Sequence, residues 1–382
     1  MNSRPSRNPV PWRVSTPGRV CLFGEHQDYL DLPVISAAIS LRLSIEGRLR
    51  PDLHVRVSAP DISKDFGFDL DAASNWIGGT IGLGAIGWRK FLINGVEVLR
   101  RRGYTFSRGI DCIIRGEIPI RGGTSSSSAM VVSWINLLAR MSDQGKELSP
   151  EDCALLAHMA EVDMAGGVGG KMDQYATAVG GVLFQSFHPD TRVEPMPAKL
   201  GTFVLGDSQT QKDTQAILAK VKSRVLGIVK TVLERHPEFS LQTVHPSEID
   251  RYMDEHASGD RTFMRATIRN RDITREGYTL LKRPDPAAAD LGALLNEQHS
   301  ILGGTLGIST PKIDAMIAAA LRSGAAGSKI NGSGGGGCMF AYAPGAPEAA
   351  SAVAEAIAGQ GGRPYVITVD GGTRLETPGS AD

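Results

Sequence analysis

Apolar and polar positions alternate along several stretches of the first half of the chain, as they do in half-buried strands. VCLF (20–23) is a short apolar run, and positions 41–45 alternate between apolar and polar residues. IDCIIRGEI (110–118) and VLFQSF (182–187) have the same character. These four segments are predicted to be strands.

Helical patterns lie between these strands. Apolar residues recur every three to four positions over 130–138, which predicts a helix with one buried face. The run Ser149-Pro150-Glu151-Asp152 combines an N-cap serine, a proline in the first turn and two acids. A helix should therefore begin there and continue to about residue 164. A shorter helix is expected over 172–180.

The second half mixes strands and helices in a different order. A charged segment at 245–285 has a weak helical pattern, and its packing cannot be assigned. Strands are predicted at 202–207 and 364–369, and a third is predicted directly after a glycine-rich turn at 332–337. Helices are predicted at 214–235, 290–302, 312–322 and 347–358. Because the regular βαβ rhythm of a doubly wound sheet is missing, the pattern favours an α+β protein. We expect two domains, 1–195 and 196–382.

Composition excludes several classes of protein. The 382 residues contain 41 basic and 41 acidic side chains, so no overall field favours nucleic acid or an anionic membrane. The N-terminal MNSRPSRNPVPWR lacks the apolar core of a signal peptide, and no run approaches the roughly 18 apolar residues of a membrane span. The four scattered cysteines indicate buried free thiols. A cytoplasmic protein is expected, whose anionic ligands are held by local geometry.

The segment IPIRGGTSSSSA (118–129) has the features of a phosphate-binding loop. It follows a predicted strand and opens a predicted helix, and glycines let a ligand approach the backbone closely. The helix start offers unpaired N–H groups and a partial positive charge. The hydroxyls of 125–128 add donors or a metal ligand. The alternative is a Gly/Ser linker that caps the helix.

A second glycine-rich segment, GSGGGG (332–337), is flanked by predicted structure on both sides, so it reads as a tight turn inside the fold or as a flexible linker. Neither segment is a Walker A loop. GGVGGKM (166–172) comes nearest, but it is one residue short and has Met172 where Ser or Thr must hold Mg²⁺.

Two polar groups complete the candidate chemistry. Arg19 and GEHQDY (24–29) surround a predicted strand, and their carboxylates, imidazole and guanidinium suit a polyhydroxylated ligand, although a solvated loop remains the alternative. Glu161 lies near the end of one predicted helix, and Asp173 lies in the first turn of the next. The helix dipole should keep Asp173 ionised and able to orient a hydroxyl or accept its proton. The alternative for Asp173 is an ordinary N-terminal helix acid.

In this order, the elements resemble the GHMP kinases, and among them the galactokinases. TPGRVCLFGEHQDY (16–29) is similar to the family's Pro-Gly-Arg-Val strand and Gly-Glu-His-x-Asp-Tyr motif. The loop 119–127, AEVDMAGGVGGKMDQ (160–174) and KINGSGGGGC (329–338) are similar to further motifs, and LNEQH (295–299) resembles a helix of the second domain. The resemblance spans nearly the whole chain. It implies an N-terminal ribosomal-protein-like α/β domain and a C-terminal ferredoxin-like α+β domain.

The resemblance also implies an activity, which is the transfer of the ATP γ-phosphate to a sugar hydroxyl with Mg²⁺, expected at the anomeric position. Asp173 would be the catalytic base or the hydroxyl-orienting carboxylate, with Arg19 beside it. Ser127 and Glu161 would hold Mg²⁺. The residues implied to line the sugar site are Glu25, His26, Asp28 and Gly170. Those implied to hold the nucleotide are Gly122, Gly123, Thr124, Ser125, Ser126, Ser127, Ser128, Gly334 and Gly335.

Departures from the galactokinase pattern leave the sugar open. Arg121 replaces a usual glycine, Thr124 a usual leucine and Gly169 a usual cysteine, and Lys171 stands at a usually apolar position. Lys171 or Arg121 is hypothesised to meet a further negative group, such as a uronic-acid carboxylate or a phosphate. The alternative is a solvated lysine. Other readings are a kinase for arabinose, a uronic acid, an N-acetylhexosamine or a heptose phosphate, a mevalonate-type kinase, and a non-catalytic sugar sensor.

Overall fold

The computed structural model describes residues 11–73 and 87–376. Twelve strands are found in these ranges: β1 (Trp12–Phe23), β2 (Val34–Leu49), β3 (His54–Ala59), β4 (Lys64–Asp69), β5 (Ile110–Gly116), β6 (Val182–Ser186), β7 (Arg192–Pro195), β8 (Phe203–Asp207), β9 (Gly327–Ile330), β10 (Cys338–Tyr342), β11 (Arg363–Ile367) and β12 (Arg374–Glu376). The interpretation of MNSRPSRNPVPWR concerns residues that lie mostly outside the described ranges.

Helices connect the strands. They are α1 (Leu70–Ala73), α2 (Arg89–Arg101), α3 (Ser126–Met141), α4 (Pro150–His158), α5 (Met172–Val179), α6 (Thr214–Leu233), α7 (Ile249–Tyr252), α8 (Ser258–Leu281), α9 (Ala288–Ser300), α10 (Pro311–Arg322) and α11 (Pro347–Gly359). The Ser149 side chain accepts a hydrogen bond from Asp152 N, so the predicted N-cap of α4 is confirmed. A wider π turn, Met159–Asp163, continues α4.

The first sheet has the strand order β12-β1-β2-β5-β3-β4. Strand β6 also pairs with β2, and β7 pairs with β6. All pairs are antiparallel except β3 with β5. Helices α2 to α5 pack in one layer, where Trp134 is fully buried and its indole N–H donates to Leu92 O at 2.8 Å. This layer places the N-terminal ends of α3 and α5 close to β1.

The second sheet has the order β11-β8-β10-β9 and is antiparallel throughout. In chain order this is 4-1-3-2, the split βαβ arrangement, so the expected ferredoxin-like α+β fold is confirmed. The charged segment 245–285 is helical: it contains the short helix α7 and the long helix α8. Helix α8 packs on Phe23 of β1 so closely that a Cβ at Gly277 would lie 2.5 Å from the Phe23 ring.

The two sheets share a core, and the chain crosses between them once more near its end. Buried residues of β1, β2, β8 and β10 form one apolar cluster. Strand β12 then pairs with β1, and Arg42 of β2 secures this return by donating to Asp370 Oδ2 at 2.7 Å and Gly372 O at 2.8 Å. We propose that the boundary between the two domains lies between residues 195 and 196. Strand β12 follows this boundary in the chain but belongs to the sheet of the first domain.

Two expectations from composition can be compared with the described residues. Cys21, Cys112, Cys153 and Cys338 are all buried and free, as predicted. Across residues 11–73 and 87–376, no helix has the length and apolar character needed to cross a membrane.

Candidate active site

The predicted phosphate loop connects β5 to α3 and turns sharply. Arg121, Gly123 and Ser125 have φ values of 59°, 79° and 62°, and the left-handed turn at Ser125 immediately precedes the first residue of α3. The Ser125 hydroxyl is buried and accepts or donates no hydrogen bond within the described residues. An unpaired buried hydroxyl at a helix N-terminus is the arrangement expected where an anion binds.

The glycine-rich turn of the second domain lies directly against this loop. Cys338 N donates to Gly122 O at 2.8 Å, and the Asn331 side chain donates to Gly123 O at 2.8 Å. A Cβ at Gly332 would lie 2.7 Å from Gly123 O, so only glycine allows this contact. The turn is therefore an ordered part of the site, and the linker alternative is wrong.

Gly334 and Gly335 pack closely against the second domain, and their contact with the nucleotide stays a prediction. A Cβ at Gly334 would lie 2.4 Å from Ile308 O, and one at Gly335 would lie 2.3 Å from Ile217 Cδ1. The Gly335 amide donates to Ile308 O at 2.7 Å, so it is already used. These two glycines allow close packing within the second domain, and Gly335 offers no free amide to a nucleotide.

Lys212, in the loop before α6, was not singled out from the sequence. Its ammonium nitrogen is buried and has no hydrogen-bond partner among the described residues. Cβ atoms at Gly123 and Gly337 would lie 3.0 and 2.8 Å from this nitrogen, so it sits between the two glycine segments. Burial lowers the pKa of Lys212 to about 8. A cation held this way is ready to receive an anionic ligand.

Arg19 and Asp173 meet at the centre of the site. Arg19 donates to Asp173 Oδ1 through Nε at 2.8 Å, and its Nη2 lies 2.7 Å from the same oxygen. The guanidinium also donates to Gly123 O and is 4% exposed, whereas Asp173 is 33% exposed. Asp173 is thus partly open to solvent in the first turn of α5, and a buried cation fixes its orientation.

Glu161 lies beside this pair, in the π turn after α4. Gln174 Nε2 donates to Glu161 Oε2 at 2.7 Å, and the hydroxyls of Ser127 and Ser128 face the same carboxylate. Burial raises the pKa of Glu161, and the nearby Asp173 adds to that effect, whereas the three donors oppose it. Two carboxylates and two hydroxyls thus converge at one place, and the binding of Mg²⁺ by Ser127 and Glu161 stays a prediction.

Asp28 and Gly170 are close to Asp173. Asp28 Oδ2 accepts from Met172 N at 3.3 Å, and its Oδ1 accepts from Tyr29 N at 3.0 Å. A Cβ at Gly170 would lie 2.2 Å from Asp28 Oδ2. Burial, followed by the charge of Asp173, raises the pKa of Asp28 to about 6. The structure therefore brings together these two predicted sugar-site residues and the predicted catalytic carboxylate.

Glu25 and His26 have different contacts from those expected. Glu25 Oε2 forms a fully buried ion pair with Lys329, and its Oε1 accepts from Gly332 N at 2.7 Å. His26 Nε2 contacts Ser333 O at 3.0 Å, and its Nδ1 contacts the Tyr29 hydroxyl at 2.7 Å. Both side chains join the first domain to the glycine-rich turn, and their contact with a sugar stays a prediction.

Lys171 and Arg121 lie at the borders of the site. The Lys171 ammonium contacts the Thr191 hydroxyl at 3.4 Å, and Arg121 is exposed on the phosphate loop. The surroundings of Lys171 and Arg121 do not identify a further negative group, and their contact with one stays a hypothesis.

Comparison with known proteins assigns the chain to a family. The galactokinase galactose-binding signature matches residues 6–48, the GHMP kinases N terminal domain matches 90–181, and the GHMP kinases C terminal model matches 280–361. The chain is 30% identical to a mevalonate kinase of Pyrococcus horikoshii over 373 residues, which is 95% of this chain and 97% of that protein. The chain belongs to the GHMP kinase family.

This GHMP kinase is also similar to galactokinases. It is 28% identical to a galactokinase of Roseiflexus sp. over 334 residues, covering 85% of this chain and 81% of that protein. Its fold matches that of Lactococcus lactis galactokinase complexed with galactose, with a TM-score of 0.80, 21% identity and coverage of 96% and 95%. As a member of the family, the chain is a phosphotransferase that uses ATP, as expected from the sequence.

Proposed function

We propose that this GHMP kinase transfers the γ-phosphate of ATP to a sugar hydroxyl, expected to be the anomeric one. The observation that carries the proposal is the Arg19–Asp173 ion pair beside Asp28 and Gly170. Asp28 lies within the range that the galactose-binding signature matches. The partly exposed carboxylate of Asp173, next to the carboxylate of Asp28 and the glycine backbone at Gly170, suits an acceptor with several hydroxyls, because carboxylates accept hydrogen bonds from hydroxyls.

Each side chain has a distinct task in this reaction. Asp173 orients the acceptor hydroxyl and accepts its proton as the oxygen attacks. Arg19 holds Asp173 in place and lies where negative charge develops on the transferred group. The loop 122–128 binds the nucleotide phosphates through backbone amides and hydroxyls. Lys212 supplies a buried positive charge from the second domain, which favours the extended negative charge of the transition state.

Mg²⁺ fits the oxygen groups around Glu161. Mg²⁺ takes oxygen ligands and is usually bound through one or two carboxylates together with substrate phosphates. Glu161 and Ser127 supply such groups beside the start of α3, next to the phosphate loop. Within the described residues, no three His, Cys, Asp or Glu side chains converge, so phosphate and water would complete the shell. The metal would neutralise charge on the phosphates during transfer.

A second candidate is a mevalonate-type kinase. The 30% identity to the Pyrococcus horikoshii mevalonate kinase extends over nearly the whole chain, which favours this candidate. The same triad of Arg19, Asp173 and Glu161 serves either acceptor. Asp28 favours the sugar, because an anionic acceptor such as mevalonate would approach a second carboxylate at an energetic cost.

The test is an ADP-release assay with a panel of acceptors. The panel contains galactose, arabinose, a uronic acid, an N-acetylhexosamine, a heptose phosphate and mevalonate, and product NMR locates the new phosphate. We expect turnover with a sugar. Turnover with mevalonate alone would refute the sugar assignment, and turnover with no acceptor, together with tight sugar binding, would indicate a sensor. Activity only with acidic sugars would support the hypothesis for Lys171 or Arg121.

A further inference from the structure

Gln174 makes an unusual set of contacts beside the candidate metal site. The residue follows Asp173 in α5 and is 2% exposed. Its amide nitrogen donates to Glu161 Oε2 at 2.7 Å and lies 3.5 Å from Ser128 Oγ. The orientation of the amide is defined, because exchanging its oxygen and nitrogen would place an oxygen against a carboxylate.

The other end of the same amide lies near the His158 side chain, which interacts with it. Gln174 Oε1 is buried and accepts no hydrogen bond of normal geometry from the described residues. A buried acceptor without such a bond is unfavourable, so the fold would be expected to use an apolar side chain here if packing were the only requirement. The bond to Glu161 needs a donor that no apolar side chain supplies, and it is the short hydrogen bond that the amide makes to a carboxylate.

That bond divides the two oxygens of Glu161 between different tasks. Oε2 receives the Gln174 amide, which leaves Oε1 as the oxygen without this donor. The π turn that carries Glu161 inserts an extra residue into the helical turn, and such turns are frequent at functional sites. Glu161 is consequently presented with one oxygen fixed by the protein.

We propose that Gln174 is a positioning residue that occupies Glu161 Oε2, so that the carboxylate offers Mg²⁺ a single oxygen. This inference rests on the proposed ATP-dependent kinase function. Mg²⁺ requires near-ideal octahedral geometry with short bonds, whereas Ca²⁺ accepts two oxygens from one carboxylate. A glutamate with one oxygen already engaged therefore favours Mg²⁺ over Ca²⁺. Gln174 acts through Glu161 and contributes to the choice of metal.

The test compares Gln174→Met with Gln185→Met. Gln185 is a matched control, because it is fully buried in β6, its Nε2 donates to Ser36 Oγ at 2.7 Å, and its Oε1 also accepts no hydrogen bond of normal geometry from the described residues. Titration calorimetry would measure the binding of the ATP analogue AMPPNP without metal, with Mg²⁺ and with Ca²⁺. The kinetic constant for activation by Mg²⁺ would be measured in parallel.

We expect Gln174→Met to weaken the Mg²⁺-dependent binding of the analogue 10- to 100-fold, the usual effect of removing a partner of a metal ligand. Metal-free binding should change less than twofold, and the preference for Mg²⁺ over Ca²⁺ should fall. The Mg²⁺ activation constant should rise, and kcat should recover at saturating Mg²⁺. Gln185→Met should leave all these values unchanged.

Two failures can be distinguished. If the wild-type protein binds the analogue in a Mg²⁺-dependent manner and Gln174→Met does so equally well, the role of Gln174 is refuted and the proposed function stands. If the wild-type protein shows no Mg²⁺-dependent binding of the analogue, the proposed function fails, and the inference about Gln174 fails with it.

Discussion

The most informative perturbation is Lys212→Met, because it should change stability and activity in opposite directions. The Lys212 ammonium is buried between two glycine-rich segments without a hydrogen-bond partner in the described part of the chain. Because the pKa of Lys212 is lowered from 10.5 to about 8, the folded protein disfavours the charged form of this lysine by about 3 kcal/mol relative to water. Methionine keeps much of the side-chain volume and removes that charge. The free enzyme should therefore gain stability, by roughly 1–3 kcal/mol at pH 7.

The sign of the pH dependence follows from the same pKa. Below pH 8 the lysine is charged in both the folded and the unfolded protein, so the full cost is present there. Between pH 8 and 10.5 the unfolded state binds more protons than the folded state, and wild-type stability rises with pH. The advantage of Lys212→Met should therefore shrink across this window. Urea denaturation at several pH values would measure it.

Nucleotide binding should respond in the opposite direction. Losing a hydrogen bond from a charged donor costs about 1.5–3 kcal/mol, so the affinity for an ATP analogue should fall 10- to 100-fold. The value of kcat/KM should fall by about 10²–10³ if Lys212 contacts the transferred group. Lys220→Met is the control, because Lys220 is exposed on α6. A Lys212→Met protein with lower stability and unchanged kcat/KM would refute the reasoning.

Three further predictions concern the same site. Asp173→Asn should abolish turnover and leave analogue affinity within a few-fold, and residual turnover near the wild-type rate would remove Asp173 from the mechanism. Because the pKa of Asp28 is raised to about 6, the KM for the acceptor should rise as pH falls below 6 while the KM for ATP stays constant; a flat acceptor KM down to pH 5 would contradict this. Glu25→Gln leaves the buried Lys329 charge unpaired and should cost about 3–5 kcal/mol in urea denaturation, and adding Lys329→Met should recover most of the loss if Glu25 serves stability.

The sequence predicted the site best where local motifs carry the chemistry. Arg19 and Asp173 are 154 positions apart, yet Arg19 lies in a recognisable run within β1 and Asp173 lies in one at the start of α5. The sequence analysis did not predict β3, β4 or α2. In β3, HVRVSA, apolar and polar residues alternate, but the pattern is too short to indicate a strand by itself. The helix predicted over 214–235 begins at Thr214, where the Asp213 side chain caps it.

Long-range burial could not be derived from the sequence. Lys212 is one lysine in a polar loop, and its significance arises only because two distant glycine segments enclose its ammonium nitrogen. Glu25 has the appearance of a sugar ligand in the sequence, but Lys329 reaches it from 304 positions away. Whether a carboxylate faces a cleft or a buried cation depends on how the second domain docks, and no local spacing encodes that.

The pairing of β12 with β1 has a consequence for biosynthesis. Strand β1 carries Arg19, and its outer neighbour is supplied by residues 374–376. While the ribosome is still translating the second domain, the first sheet has an open edge beside the strand that bears the guanidinium. Contacts between distant parts of a chain form slowly. Until residues 374–376 have left the ribosome, the part of β1 that they cover, Arg13 to Ser15, therefore remains an unpaired edge with which another nascent chain can pair.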